Sequence, residues 1–457
     1  MPRKTSHVLR VFMNREYPCI VKAEGIYLYD EKGKRYIDSA GGPILCNLGH
    51  GLDEMADVLR DQAKKVAFVY RFDFTNEPLE EATAKICEVT GGAIDKVFMV
   101  SGGSEATEIA VKLARKYHID NGSPSKFKIV SRWLSYHGMT MGALSWSGMT
   151  SRRADYVPML NDHSHIAPAY CYRCWFKQKP EACNLECAQA LENEVMCQGP
   201  ETVAAFIVEP VSGMSLCGAH PREDYFKRIR EICDRYEILL ILDEVMTGFG
   251  RTGKWFGYEH FDTTPDILVL GKALGGGYFP VGAAAVTAKV YETIAKNSGI
   301  FPPGFSWAGN PLAAAVVSKA IDYQKRHRLV DRCSEMGKYL AHKLEELRSH
   351  PTVGDIRGKG LMRGIEFVKD KETKEPLDPR LRFWSRLAQE ALNQGLFIEA
   401  SGGCERGQGG DMMMFGPPFI VTKEQIDEMV GIFDKVLSLI EKKSVTTPKG
   451  RGMRKPP

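Results

Sequence analysis

The chain lacks any apolar run long enough to cross a bilayer, and its first residues, Met1-Pro2-Arg3-Lys4-Thr5-Ser6-His7, lack the apolar stretch of a secretory signal. It also lacks a strong charge of either sign. Its 61 basic residues stand against 57 acidic ones, a formal net charge of +4. A nucleic-acid binder would concentrate excess Lys and Arg in a patch. The one basic run is the tail from Lys442 to Pro457, whose Lys, Arg, Pro and Thr predict a disordered end over 446–457. Internal repeats are missing, and so is the Gly-x-x-x-x-Gly-Lys order of a phosphate-binding P-loop. These gaps predict a cytoplasmic protein with no membrane and no nucleic-acid partner. Its twelve cysteines then read as reduced thiols rather than a disulfide framework.

What is present is a globular composition, 44% hydrophobic and 26% charged over 457 residues. Two short alternating runs around Glu31-Lys32-Gly33 predict a β-hairpin. Between about residues 90 and 290, short apolar runs alternate with amphipathic stretches. The expected strands are Val97–Val100, Phe127–Ser131, Val203–Val208, Ile238–Leu242, Ile267–Leu270 and Val281–Val286. Glu105–Tyr117 and Arg222–Tyr236 read as helices, the first with Ala106, Ile109, Ala110, Leu113 and Ala114 on one face. Continuous apolar strands separated by helices imply an α/β fold with a mostly parallel sheet covered on both faces. A long helix over Asp331–Leu347, a strand over Leu361–Val368 and a helix after Thr422 follow. The expected plan is a large α/β domain over 66–325, with a Cys-rich insertion at about 168–190. A smaller α+β domain is drawn from both chain ends, 1–65 and 326–445.

Four motifs carry chemistry. In Asp266-Ile-Leu-Val-Leu-Gly-Lys272-Ala-Leu-Gly-Gly-Gly277 a buried strand delivers a lysine. Desolvation lowers a lysine's pKa, and the neutral amine can form a Schiff base. Taken alone, Lys272 reads more readily as a surface residue ending a strand than as a catalyst. In Ile238-Leu-Leu-Ile-Leu-Asp243-Glu244 an acidic pair closes a second strand, where a carboxylate can hold a protonated ring nitrogen or simply cap a turn. Phe98-Met-Val-Ser101-Gly102-Gly103-Ser104-Glu105 is strand, small-residue turn and helix start, a seat for phosphate or an ordinary N-cap at Ser104. Tyr136-His137-Gly138 follows another strand and offers a ring to stack on a flat cofactor. Gly248-Phe-Gly250-Arg-Thr-Gly253 matches the Gly-x-Gly-x-x-Gly of dinucleotide sites. There, however, the first glycine should follow a strand directly and a helix should follow the last.

Together these residues closely resemble the class III (ω-amino acid type) aminotransferases, pyridoxal-phosphate (PLP) enzymes of fold type I. The most specific stretch is Leu242-Asp-Glu-Val-Met-Thr-Gly-Phe-Gly-Arg-Thr-Gly253, then eighteen residues, then Gly271-Lys272-Ala-Leu-Gly-Gly-Gly. The resemblance implies that Lys272 holds PLP as a Schiff base and shuttles protons, and that Asp243 pairs with the pyridinium nitrogen. It places Val245 and Tyr136 on the two ring faces, Gly103 and Ser104 on the phosphate, and His137 and Glu209 near the cofactor. Ser306, in Gly304-Phe-Ser306-Trp-Ala-Gly-Asn-Pro311, would reach the phosphate of the neighbouring subunit, which implies a homodimer with shared sites and leaves a tetramer open. The implied reaction moves an amino group from an amine or ω-amino acid to a keto acid such as pyruvate or 2-oxoglutarate, by ping-pong kinetics.

Two positions depart from the family. Met414 stands where many α-amino-acid enzymes carry an Arg before Pro-Pro, so Arg406, a few residues upstream, becomes the candidate carboxylate receiver. Met246 stands where several relatives carry Gln near the ring oxygen. Arg71 and Phe72 are further candidates for setting specificity. Separately, Cys171-Tyr-Arg-Cys174, eight residues, then Cys183-Asn-Leu-Glu-Cys187 resembles a four-cysteine zinc site; free thiols or a disulfide pair are the alternatives. The PLP mechanism needs no metal there. Three other functions remain open: a PLP-dependent ammonia- or phospho-lyase or racemase, a nicotinamide dehydrogenase built on Gly248–Gly253, and a metal-binding module.

Overall fold

The computed structural model describes residues 6–445; the tail expected over 446–457 lies outside them. A seven-stranded sheet runs through the middle of the molecule. Its order is Lys96–Val100, Gly282–Val286, Ile267–Leu270, Leu239–Asp243, Val203–Val208, Lys128–Arg132, His165–Ile166. Gly282–Val286 runs antiparallel to both neighbours, and the pairings from Ile267–Leu270 onward are parallel. The four residues of Ile267–Leu270 and the five of Leu239–Asp243 are all buried. That explains their unbroken apolar runs: parallel strands lie under helices on both faces.

The helix Gly103–Asp120 lays Ala106, Ile109, Ala110, Leu113 and Ala114 on one face of this sheet. Tyr225–Arg235 is the helix that leads into Leu239–Asp243, with Phe226, Ile229 and Ile232 buried. It is shorter than its sequence pattern, because residues 222–225 form a turn first, closed by the Tyr225 N–H donating to the Arg222 carbonyl at 3.2 Å.

Both ends of the chain meet in a second core. The strand Leu396–Phe397 pairs parallel with Arg35–Asp38, in the hairpin sheet that also contains Ile20–Glu24 and Tyr27–Asp30. Ile26, Ile37, Leu48 and Met55 pack there with Leu340, Phe367, Phe415 and Phe433. A four-stranded antiparallel sheet completes this half, in the order Val353–Lys359, Met362–Phe367, Gly409–Phe415, Glu399–Glu405. Among the described residues, no helix is long and apolar enough to cross a membrane.

Candidate active site

The site follows from one topological fact. The turns after Val100, Arg132, Val208, Asp243 and Leu270 all leave the carboxyl ends of their strands, where open α/β sheets build their ligand sites. One cavity collects them. It is lined by Gly103 and Ser104 from the first turn, Tyr136 and His137 from the second, and Glu209 from the third. Asp243, Val245 and Met246 come from the fourth and Lys272 from the fifth. Val211, which the sequence reading did not single out, also lines it. The only hint was its place two residues after Glu209.

Lys272 has a left-handed backbone, φ +46°, a strained conformation for a side chain of this size. Burial pushes its amine down to about 8, against the opposing pull of Asp243, Glu399 and Glu209. A fraction of the amine is therefore neutral near pH 7, which a nucleophilic role requires.

The acidic pair divides its work. Asp243 faces the cavity. Its Oδ2 accepts from His137 Nδ1 at 2.8 Å and its Oδ1 from the Val245 N–H at 3.0 Å. The carboxylate can only accept, so the imidazole proton sits on Nδ1. His137 Nε2 is buried without a partner. Glu244 turns into the core and accepts from the N–H groups of Gly257 and Tyr258, both at 2.8 Å, and from the Thr247 hydroxyl. It anchors the turn, and burial raises its pKa to about 7.

The phosphate-seat motif is a helix start without a side-chain cap. Gly102, not Ser104, occupies the N-cap position, and the Ser104 hydroxyl accepts instead from the Met139 N–H at 3.0 Å. The first N–H groups of a helix have no partner within it, so they face the cavity free to hold an anion. A side chain at Gly103 would crowd this point: a Cβ there would meet the Val245 methyls at 3.1 and 3.2 Å. Glu209 is buried. Its Oε1 accepts from the Gly213 N–H at 3.1 Å, and its Oε2 has no hydrogen bond. Arg132 lies 4.0 Å from it, yet burial dominates and raises the carboxyl pKa.

An amine of lowered pKa, a fixed carboxylate, an anion seat and a gap flanked by Tyr136 and Val245 match the amine-reactive aldehyde, ring nitrogen, phosphate and flat ring of PLP. The residues present fit that group. The aminotransferase class-III family profile matches residues 12–437. This chain belongs to the class III aminotransferases. The enzyme is 35% identical over 440 residues to the uncharacterized aminotransferase YodT of Bacillus subtilis (strain 168), covering 96% of this chain and 99% of that one. It is 33% identical to the putrescine–pyruvate aminotransferase of Pseudomonas aeruginosa, over 92% of this chain and 90% of the other. A transaminase structure from the marine bacterium Virgibacillus superposes with a TM-score of 0.89 at 33% identity, over 96% and 98% of the two chains. The aminotransferase thus has PLP fold type I and depends on PLP.

Other expected residues lie elsewhere. Ser306 is exposed and outside the cavity lining. Arg406 sits at the turn between Glu399–Glu405 and Gly409–Phe415, 63% exposed, 3.8 Å from Glu405 and over the Trp175 ring. Arg71 stacks on Phe98 and donates to the Pro303 carbonyl at 2.9 Å, while Phe72 is exposed. Met414 is fully buried and pairs with Glu399.

The dinucleotide reading of Gly248–Gly253 falls on geometry. A turn follows Gly253, not a long helix, and the Gly250 N–H bonds the Trp255 carbonyl at 3.1 Å. Cys171, Cys174, Cys183 and Cys187 are free thiols. Cys183 Sγ accepts from the Leu185 N–H at 3.2 Å, and burial pushes Cys187 up to about 12. Among the described residues, no group of three or more His, Cys, Asp or Glu is arranged to hold a metal.

Proposed function

We propose that this aminotransferase moves an amino group from an amine or ω-amino acid to a keto acid such as pyruvate or 2-oxoglutarate, with Lys272 holding the cofactor. One observation carries the reading: Lys272, Asp243 and the uncapped start of Gly103–Asp120 converge at one end of one sheet. Bound PLP supplies an amine-reactive aldehyde and an electron-withdrawing ring. Asp243 keeps a proton on the ring nitrogen, and His137 and the Val245 N–H hold that carboxylate in place. Gly103 and Ser104 bind the phosphate, Tyr136 and Val245 flank the ring, and Glu209 offers its free Oε2 to the polar ring edge. The Lys272 amine takes a proton from the donor carbon at Nζ and returns it. Arg406 receives the substrate carboxylate. The resemblance to the putrescine–pyruvate enzyme supports an amine donor and a keto-acid acceptor.

The partner in this reading is a second copy. Phe68, Tyr70, Phe72, Phe74, Ile300 and Trp307 are exposed on two adjoining segments around Ser306, and Phe68 meets Trp307 edge to face at 5.8 Å. Such an apolar patch marks an interaction surface. It supports a homodimer in which Ser306 completes the neighbour's phosphate seat. The shared second core supports a small domain from 1–65 and 326–445 beside a large one over 66–325. The eleven cysteines between Cys46 and Cys404 are unbridged thiols, and they support a cytoplasmic location.

Donor added to holoenzyme without keto acid tests the function. One carbonyl product per site should form, then stop, and keto acid should restart turnover. Continuous ammonia release without an acceptor would make the protein a lyase, and loss of optical activity a racemase.

A further inference from the structure

Residues 136–140 carry two parts of the site, the Tyr136 ring and the His137 imidazole that donates to Asp243. They lie outside any helix or strand, so their backbone groups need partners elsewhere. The helix Gly103–Asp120 supplies them. Ser104 Oγ accepts the Met139 N–H at 3.0 Å, Thr107 Oγ1 donates to the His137 carbonyl at 2.8 Å, and Thr140 Oγ1 donates to Glu108 Oε1 at 2.7 Å. Ser104 belongs to the phosphate seat. Thr107 is fully buried, does not line the cavity and has no part in the scheme above.

A threonine inside a helix ordinarily turns its hydroxyl to the carbonyl four residues back. Here that carbonyl, on Gly103, is 3.1 Å away and the His137 carbonyl is nearer. Among the described residues, no backbone N–H is bonded to the His137 carbonyl. The hydroxyl has one proton to give, and the nearer carbonyl takes it. The His137 ring has little else to hold it. Its Nε2 is buried without a partner, so its orientation depends on the Asp243 bond and on the backbone behind it. That backbone is fixed at two points, by its N–H on Ser147 Oγ at 2.8 Å and by its carbonyl on Thr107. Thr107 and Gly103 lie one turn apart on one helix face. A single rigid element thus carries both the phosphate seat and the hold on the partner of Asp243.

We propose that Thr107 is a positioning residue for amino transfer: its hydroxyl fixes the His137 backbone, and through it the Asp243 carboxylate, relative to the phosphate seat. This rests on the reading of Asp243 as the partner of the ring nitrogen.

The test compares wild type with Thr107→Val, which keeps the shape and removes the hydroxyl, and with Thr107→Ser, which keeps the hydroxyl. Low-field proton NMR of the holoenzyme reads the His137 Nδ1–H, assigned by its loss in His137→Asn. In Thr107→Val this proton should exchange with water roughly fivefold faster, the population shift that losing one buried hydrogen bond gives. The kcat should fall roughly tenfold with both KM values within about twofold of wild type, because the reacting groups are misplaced while substrate binding is kept. Thr107→Ser should stay near wild type in both respects. An exchange rate or a kcat unmoved in Thr107→Val, or a Thr107→Ser as impaired as Thr107→Val, would overturn the proposal and leave the role of Asp243 standing. If Thr107→Val does not fold, Thr107→Ala is read in its place, since alanine favours the helix. A kcat unchanged in Asp243→Asn would sink the ring-nitrogen reading, and this inference with it.

Discussion

At Lys272 two costs meet, a left-handed backbone and a desolvated amine. The second has a measurable sign. The folded-state pKa of about 8 lies below the ordinary 10.5. Between those values the unfolded chain binds a proton that the folded chain does not, so this group makes stability rise with pH across that window. Below about pH 8 the penalty is fully present, on the order of 3 kcal/mol for a shift of this size. Lys272→Met in the cofactor-free protein should therefore be more stable than wild type at pH 7. The difference should shrink to nothing by about pH 10.5, as urea unfolding at several pH values would show. The sequence displayed this lysine and its strand, but not its backbone strain, because φ depends on the turn that Gly275–Gly277 make after it. Nor did it reveal that Asp243 and Glu244 face opposite ways. The alternation of a strand puts neighbours on opposite sides, yet which side holds the cavity is set by the strands around it.

Among the elements, the hairpin from Glu399 to Phe415 forms half of the four-stranded antiparallel sheet. It was the part least legible in the sequence. Gly402, Gly403, Gly407, Gly409 and Gly410 interrupt its apolar pattern, so its strands do not alternate as strands should. Its turn is tied to the insertion by Arg173, which bridges Glu366 (2.5 Å) and Glu405 (3.1 Å). Tyr170 and Arg357 converge on the same buried Glu366. Arg173→Ala should cost about 1.5–3 kcal/mol of stability in chemical unfolding, the usual loss for a hydrogen bond to a charged group. Arg406→Ala should raise the KM for keto acid roughly tenfold or more, as loss of a charged carboxylate contact implies, with a smaller effect on a donor that has no carboxylate. An unchanged KM would remove Arg406 from the site. The central strands, by contrast, were readable to within a residue or two, because full burial leaves an uninterrupted apolar run.

On the scale of the whole molecule, the described residues expose a cluster of large apolar side chains around Ser306. Trp307 is 60% exposed and Phe74 65%. Trp307→Asp should place a charge in the proposed subunit interface and shift the proposed dimer toward monomer in sedimentation. Cofactor affinity should fall in parallel, because Ser306 would no longer reach the neighbouring phosphate seat. A variant that stays dimeric with unchanged affinity would place the interface elsewhere. The pairing of Leu396–Phe397 with Arg35–Asp38, across most of the chain, was beyond any local pattern. Only the change in character after residue 330 pointed to a second core. All of these features serve one claim, that Lys272 is the residue to which the cofactor is joined. The most direct measurement is borohydride reduction of the holoenzyme followed by peptide mapping. The account predicts the cofactor fixed on the peptide containing Lys272 and on no other. Cofactor fixed on a different lysine, or full release of cofactor after reduction, would contradict it.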